Sequence, residues 1–146
     1  MAWTVAQQIR LQMERGILSK YFPAFRWINP TNPFRTHIEG NVCTNPMNLY
    51  TLRVYVPPDF PNSRPDMVVI WPHPLKGYAG RDLGETSASM HTLSALDGYV
   101  QICHYKDWSP DLTLYFVVLK GRIWLEAFEG HKSTGQPLDH YLSHMA

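Results

Sequence analysis

The stretch Gly98-Tyr99-Val100-Gln101-Ile102-Cys103-His104-Tyr105-Lys106-Asp107-Trp108-Ser109-Pro110 decides how this chain is read. A short apolar run closes on Cys103, and the solvent-seeking His104, Lys106 and Asp107 follow at once. A thiol where a strand emerges into a loop, beside cations that favour thiolate, has the setting of a nucleophile. The bland alternative is an inert core strand, because free cysteine is among the most buried residue types. From Ser109 the pattern turns helical. Ser109 suits an N-cap, Pro110 the first helical position, and Asp111 complements the positive helix end. Leu112, Phe116, Leu119, Ile123 and Ala127 then recur at helical spacing, with Gly121 weakening the middle and Gly130 predicted to end the helix.

Upstream, Thr4 and Gln7 have the spacing of a capping box, and Val5, Ile9, Met13 and Ile17 recur every fourth residue as one apolar stripe. This predicts a helix over roughly residues 4–16, stopped at Gly16, with Arg10, Arg15 and Lys20 forming a basic face off the stripe. The period then changes to that of strands. Phe22 to Ile28, Arg35 to Thr44, Tyr50 to Val56 and Met67 to Trp71 are four strand candidates separated by Asn-Pro and Pro-Pro turns. Tyr50 to Val56 alternates, as a half-buried strand does, whereas Met67 to Trp71 does not and reads as buried on both faces. Four strands on short turns predict an antiparallel meander. Pro72 to Ala95, rich in Gly, Ser, His and Pro, reads as a long functional loop leading into the Cys103 segment, and a last short helix is expected from about Pro137 to His144.

The bulk numbers narrow the function classes. At 146 residues the chain fits one domain, 1–146, with a core that needs no staples. Thirteen Lys and Arg against twelve Asp and Glu give a net charge of +1, which supplies no drive toward nucleic acid or an anionic membrane. Cys43 and Cys103 lie far apart and neither sits in a C-x-x-C, so neither a zinc knuckle nor a disulfide framework is indicated. The first ten residues lack the basic region and apolar core of a signal peptide, and no apolar run is long enough to span a bilayer. A reducing cytoplasm is the expected setting, with no metal and no cofactor. His91, twelve residues before Cys103, could fold back over the thiol as a hydrogen-bond donor or loop organiser. His73 is the weaker histidine candidate. Cys43 is read as structural or incidental. No Asp or Glu pair is assignable to acid/base work.

This layout resembles the ubiquitin-conjugating enzymes over about residues 1–130. Gly98-x-x-Gln-Ile-Cys103 resembles their active-site run, and Trp108-Ser109-Pro110-x-Leu112-Thr113 the tryptophan-serine-proline before their central helix. Tyr50 to Pro72, with Phe60-Pro61-x-x-x-Pro65, is similar to their third and fourth strands. The resemblance implies an α+β UBC-like fold: an N-terminal helix, a four-stranded antiparallel meander, an active-site loop and a central crossing helix. It also implies that Cys103 accepts a ubiquitin-like protein as a thioester from an activating adenylyltransferase enzyme. A substrate amine, typically a lysine of a protein substrate, would then attack, and the N-terminal helix would meet the activating enzyme.

There are departures. Where the family has His-Pro-Asn, this chain has His91-Thr92-Leu93, which leaves the asparagine's role unassigned and makes His91 the candidate substitute. The gap from cysteine to tryptophan is three residues shorter than usual, and the tail after the crossing helix is short. Together these resemble the divergent prokaryotic branch, some of whose systems act in defence against phage. Two competing readings are an inactive variant of the same fold that only presents a ubiquitin-like partner, and an unrelated cysteine hydrolase. The hydrolase would need a base oriented by a third group, and the sequence identifies none.

Overall fold

The computed structural model describes residues 2–83 and 85–142. The fold is α+β: an N-terminal helix, a six-stranded antiparallel sheet and a long C-terminal helix packed across one sheet face. The elements are α1 (Val5–Tyr21), β1 (Arg26–Ile28), β2 (His37–Cys43), β3 (Leu49–Tyr55), β4 (Asp66–Trp71), β5 (Thr92–Leu96), β6 (Tyr99–Ile102), α2 (Leu114–Thr134) and α3 (Asp139–Leu142). Strands β1 to β4 form the expected meander, and the sheet continues in the order β1-β2-β3-β4-β6-β5.

The last pair was not expected. Residues 92–96, read as loop, are β5, and they turn into β6 through Asp97-Gly98, both at positive φ (54° and 80°). A two-residue turn of this kind matches the twist of the strands it joins, so Leu96 and Tyr99 pair across it. The rest of the predicted loop is tied down too. Tyr78 N donates to His131 Nε2 at 3.0 Å, and Thr92 Oγ1 to the Glu85 carbonyl at 2.9 Å.

The capping box forms as predicted, but α1 runs past Gly16 to Tyr21. A glycine costs a helix about 1 kcal/mol, less than burying Leu18 just beyond it returns. The larger correction concerns orientation. Val5, Ile9 and Met13 face solvent, 72%, 67% and 50% exposed, while the inward face carries Leu18 and the fully buried Glu14.

The reason lies at the start of α2. Its N-cap is Thr113, not Ser109. A helix begun at Ser109 would bond Leu114 N to the Pro110 carbonyl. Instead Leu114 N donates to Glu14 Oε1 at 2.7 Å, and the Pro110 and Leu112 carbonyls accept from Arg10 Nη1 and Nη2, each at 2.7 Å. Arg10 and Glu14 are themselves paired at 2.8 Å. One ion pair on α1 thus takes both halves of a helical hydrogen bond, and Ser109-Pro110-Asp111 remains a turn closed by Leu112 N on the Ser109 carbonyl. Arg10 belongs to the interior clamp, so of the expected basic face only Arg15, over the Trp27 ring, and Lys20 stay exposed.

Helix α2 crosses the sheet closely. A Cβ on Gly121 would fall 2.6 Å from Met67 Sδ and 2.8 Å from Leu52 Cδ1, so its glycine is the contact point rather than a weakness. Gly130 does not end the helix: it lies under the Tyr141 ring of α3, where a Cβ would meet Cζ at 2.8 Å. The helix ends at Gly135. Trp124, Leu125 and Phe128 of α2 pack into one core with Ile38, Leu52, Val54, Met67 and Ile102 of the sheet. Within the expected last helix, α3 covers Asp139–Leu142, and His144 lies outside the described residues.

Candidate active site

Cys103 is the first residue beyond β6 and is half-buried with a free thiol. Its backbone N–H donates to the His91 carbonyl at 2.8 Å, continuing the β5–β6 ladder by one position. The same carbonyl accepts from the indole Nε1 of Trp124 at 3.2 Å, and the Met90 carbonyl accepts from that Nε1 at 3.1 Å. The buried crossing helix therefore fixes the backbone of His91, which takes a left-handed conformation at φ 52°. Such a conformation is uncommon outside glycine and persists where the surroundings impose it. Here two donors do so.

The side chains of Cys103 and His91 line one cavity of about 460 Å³, walled also by Ser87, Ala88, Leu93, Lys106 and Asp139. The sequence put His91 near Cys103, and the two do line one cavity; it gave no sign of Asp139, which lines it too. His91 Nε2 and Asp139 Oδ1 are 3.0 Å apart, the carboxylate side chain being 59% exposed. Helix α3 is held in place by Asp139 N donating to the Ser89 carbonyl at 2.7 Å and by Leu138 and Leu142 in the core. The partners are far apart in sequence, and no short-range spacing could have linked them. No asparagine lines the cavity.

His104 corrects a second expectation. It is not solvent-seeking but 4% exposed, with Nδ1 3.4 Å from the Ile102 carbonyl and Nε2 without a hydrogen-bond partner. Burial, aided by the positive charges of Arg64 and Lys120, pushes its pKa down from 6.5 to about 4, so at neutral pH it carries no charge. The Pro65 carbonyl lies close enough to oppose that shift electrostatically, yet it does not make a well-formed bond to Nε2. Lys106 is the cation that remains on the cavity wall.

The far end of the segment is anchored to the loop before β4. Trp108 Nε1 donates to the Pro61 carbonyl at 2.7 Å, and Arg64 Nη1 to the Tyr105 carbonyl at 3.2 Å. His73 meets the Tyr99 ring edge-on with centroids 4.9 Å apart and does not line the cavity. Cys43 is exposed at the end of β2, also outside it. A larger hollow of about 610 Å³ lies between α1 and β1, lined by Trp3, Leu11, Arg15 and Trp27, but it holds no nucleophile. Among the described residues no group of three or more His, Cys, Asp or Glu side chains is placed to hold a metal ion, and no helix is long and apolar enough to cross a membrane.

In comparisons with known proteins the chain matches no family model, no curated protein and no solved structure.

Proposed function

We propose that this chain is a ubiquitin-conjugating-like transferase of UBC-like fold, carrying a ubiquitin-like protein as a thioester on Cys103. The observation that supports this most is the placement of a half-buried free thiol on the wall of a cavity, at the end of a strand and ahead of the helix that crosses the sheet. The order of helix, meander, cysteine and crossing helix is the one the resemblance implies. In this reading the Cys103 thiolate attacks the thioester linking the ubiquitin-like protein to its activating enzyme, and the activating enzyme's thiol leaves. A substrate amine then attacks the new thioester. A thioester is already activated, so positioning and stabilisation of the oxyanion carry much of that second step.

The activating enzyme meets α1 in this scheme, on a surface where an apolar stripe joins what remains of the expected basic face. With Arg10 in the clamp, α1 presents the exposed stripe Val5, Ile9 and Met13 together with the exposed Arg15 and Lys20. Contact there would rest on apolar burial more than on charge.

The decisive experiment mixes the protein with a candidate ubiquitin-like partner, its activating enzyme and ATP, followed by non-reducing electrophoresis. The expected product is an adduct lost on adding thiol, which Cys103→Ser abolishes or converts to a thiol-resistant ester. No adduct with an activating enzyme shown to be active refutes the proposal.

A second reading gains from one observation. A cysteine hydrolase needs an oriented base, and Asp139 beside His91 supplies the orienting group that the sequence did not identify. Turnover of a peptide ester or thioester by water, with no preference for added amines, would favour it.

A further inference from the structure

We infer that His91, oriented by Asp139, is the base that deprotonates the attacking amine when that amine is an alkylammonium of the lysine type. This rests on the reading of Cys103 as an acyl-thioester carrier. The reading itself leaves a chemical gap: an alkylammonium near neutral pH has no lone pair with which to attack, and thioester activation does nothing to remove that proton.

The cavity holds what is needed. His91 Nε2 and Asp139 Oδ1 are 3.0 Å apart, and a carboxylate at that distance selects the tautomer that donates Nε2–H, leaving the lone pair on Nδ1. The His91 side chain is 18% exposed and that of Asp139 59%, so a proton taken up can leave to water. The backbone of His91 is fixed through its carbonyl by Cys103 N and Trp124 Nε1, and His91 lines the same cavity as Cys103. Ser87 and Ala88 on the wall are small, which leaves room for an unbranched alkyl chain. His104 also lines this cavity, but its Nε2 is buried from solvent and its Nδ1 lies 3.4 Å from the Ile102 carbonyl, so His91 is the more exposed histidine of the two.

The step balances. His91 Nδ1 takes one proton from the alkylammonium and releases it to water, which frees the nitrogen lone pair. The nitrogen then bonds to the thioester carbonyl carbon as its second proton passes to Nδ1, and the imidazolium is stabilised each time by Asp139. The carbon–Sγ bond breaks with its electron pair going to Cys103 Sγ, and the proton on His91 then passes to the thiolate or to water. The product is an amide, and the enzyme is restored. His91 is a catalytic residue in this scheme, and Asp139 a positioning residue that acts through it.

The test bypasses the partner proteins. In a Cys43→Ser background, which removes the exposed second thiol, Cys103 is acylated by exchange with a short peptide α-thioester of mercaptoethanesulfonate and the adduct is followed by intact mass. Discharge is then measured with free lysine and with hydroxylamine, a weakly basic amine that is already neutral at pH 7. Asparagine tolerates a left-handed backbone and keeps a donor but offers no base. His91→Asn is therefore expected to load normally and to lose about 100-fold in discharge to lysine, with hydroxylamine little affected. Asp139→Asn is expected to lose on the order of tenfold toward lysine, with Asp139→Glu recovering part of it. The wild-type pH profile for lysine should show an inflection that His91→Asn lacks. Lysine discharge unchanged in His91→Asn, or equal slowing toward lysine and hydroxylamine, overturns the inference alone and leaves the carrier reading intact. Failure of wild-type Cys103 to form the acyl adduct overturns both.

Discussion

Acidification between about pH 6.5 and 4 should destabilise this protein through the buried ring of His104. His104 is 4% exposed and its pKa is lowered from 6.5 to about 4, by burial first and by Arg64 and Lys120 in addition. In the unfolded chain the same imidazole takes up a proton near 6.5. Between those two values the unfolded state binds more protons than the folded one, so stability falls as pH falls through the window and is intact above it. The full window corresponds to about 3 kcal/mol, and going from pH 7.5 to 5 costs about 2 kcal/mol of it. Urea unfolding followed by tryptophan fluorescence at both pH values, on the wild type and on His104→Leu, isolates the effect. Every other group titrates in both proteins, so the wild type should lose about 2 kcal/mol more than the variant. Equal losses, within about 0.5 kcal/mol, would refute the claim that His104 is neutral and sealed in the folded state.

Three further outcomes follow from the packing. Replacing Val5, Ile9 and Met13 together by Ser should change stability by no more than about 0.5 kcal/mol per site, whereas Leu18→Ala should cost about 2–4 kcal/mol; chemical denaturation of both variants checks which face of α1 is inside. Glu129 accepts from Thr44 Oγ1 (2.9 Å), Asn48 Nδ2 (3.0 Å) and Tyr50 OH (2.8 Å). Burial acts to raise its pKa, but those bonds, with Lys132 nearby, outweigh burial and hold it below the usual carboxylate value. Glu129→Ala strands three donors and should cost about 2–4 kcal/mol in thermal or urea unfolding. Gly130→Ala drives a methyl into the Tyr141 ring and should cost about 1–3 kcal/mol, a loss that a Tyr141→Ala partner substitution should largely relieve in a double-mutant cycle.

Much of the frame was legible in the sequence because it depends on neighbours along the chain. The capping box at Thr4 and Gln7, the alternation of Tyr50 to Val56 and the proline-rich turns are interactions within a few residues, and they fold as read. The β5–β6 hairpin was legible too, in Asp97-Gly98, but a short strand in a Gly- and Ser-rich stretch reads first as loop.

The site itself divides along the same line. The sequence alone marked Cys103 as the emerging thiol and His91 as its companion, and the ladder bond from Cys103 N to the His91 carbonyl places them side by side. Only the tertiary structure decided the rest. Asp139 reaches His91 across the fold, Glu14 takes the amide of Leu114, and the stripe of α1 turns outward because an Arg10–Glu14 clamp occupies the inner side. Hydrophobic periodicity records which residues are apolar, not which face a buried ion pair has claimed. A histidine's letter likewise records its titratable ring, not whether it is partly exposed beside a carboxylate like His91 or sealed like His104. Those facts are settled by long-range contacts between residues that the chain itself keeps far apart.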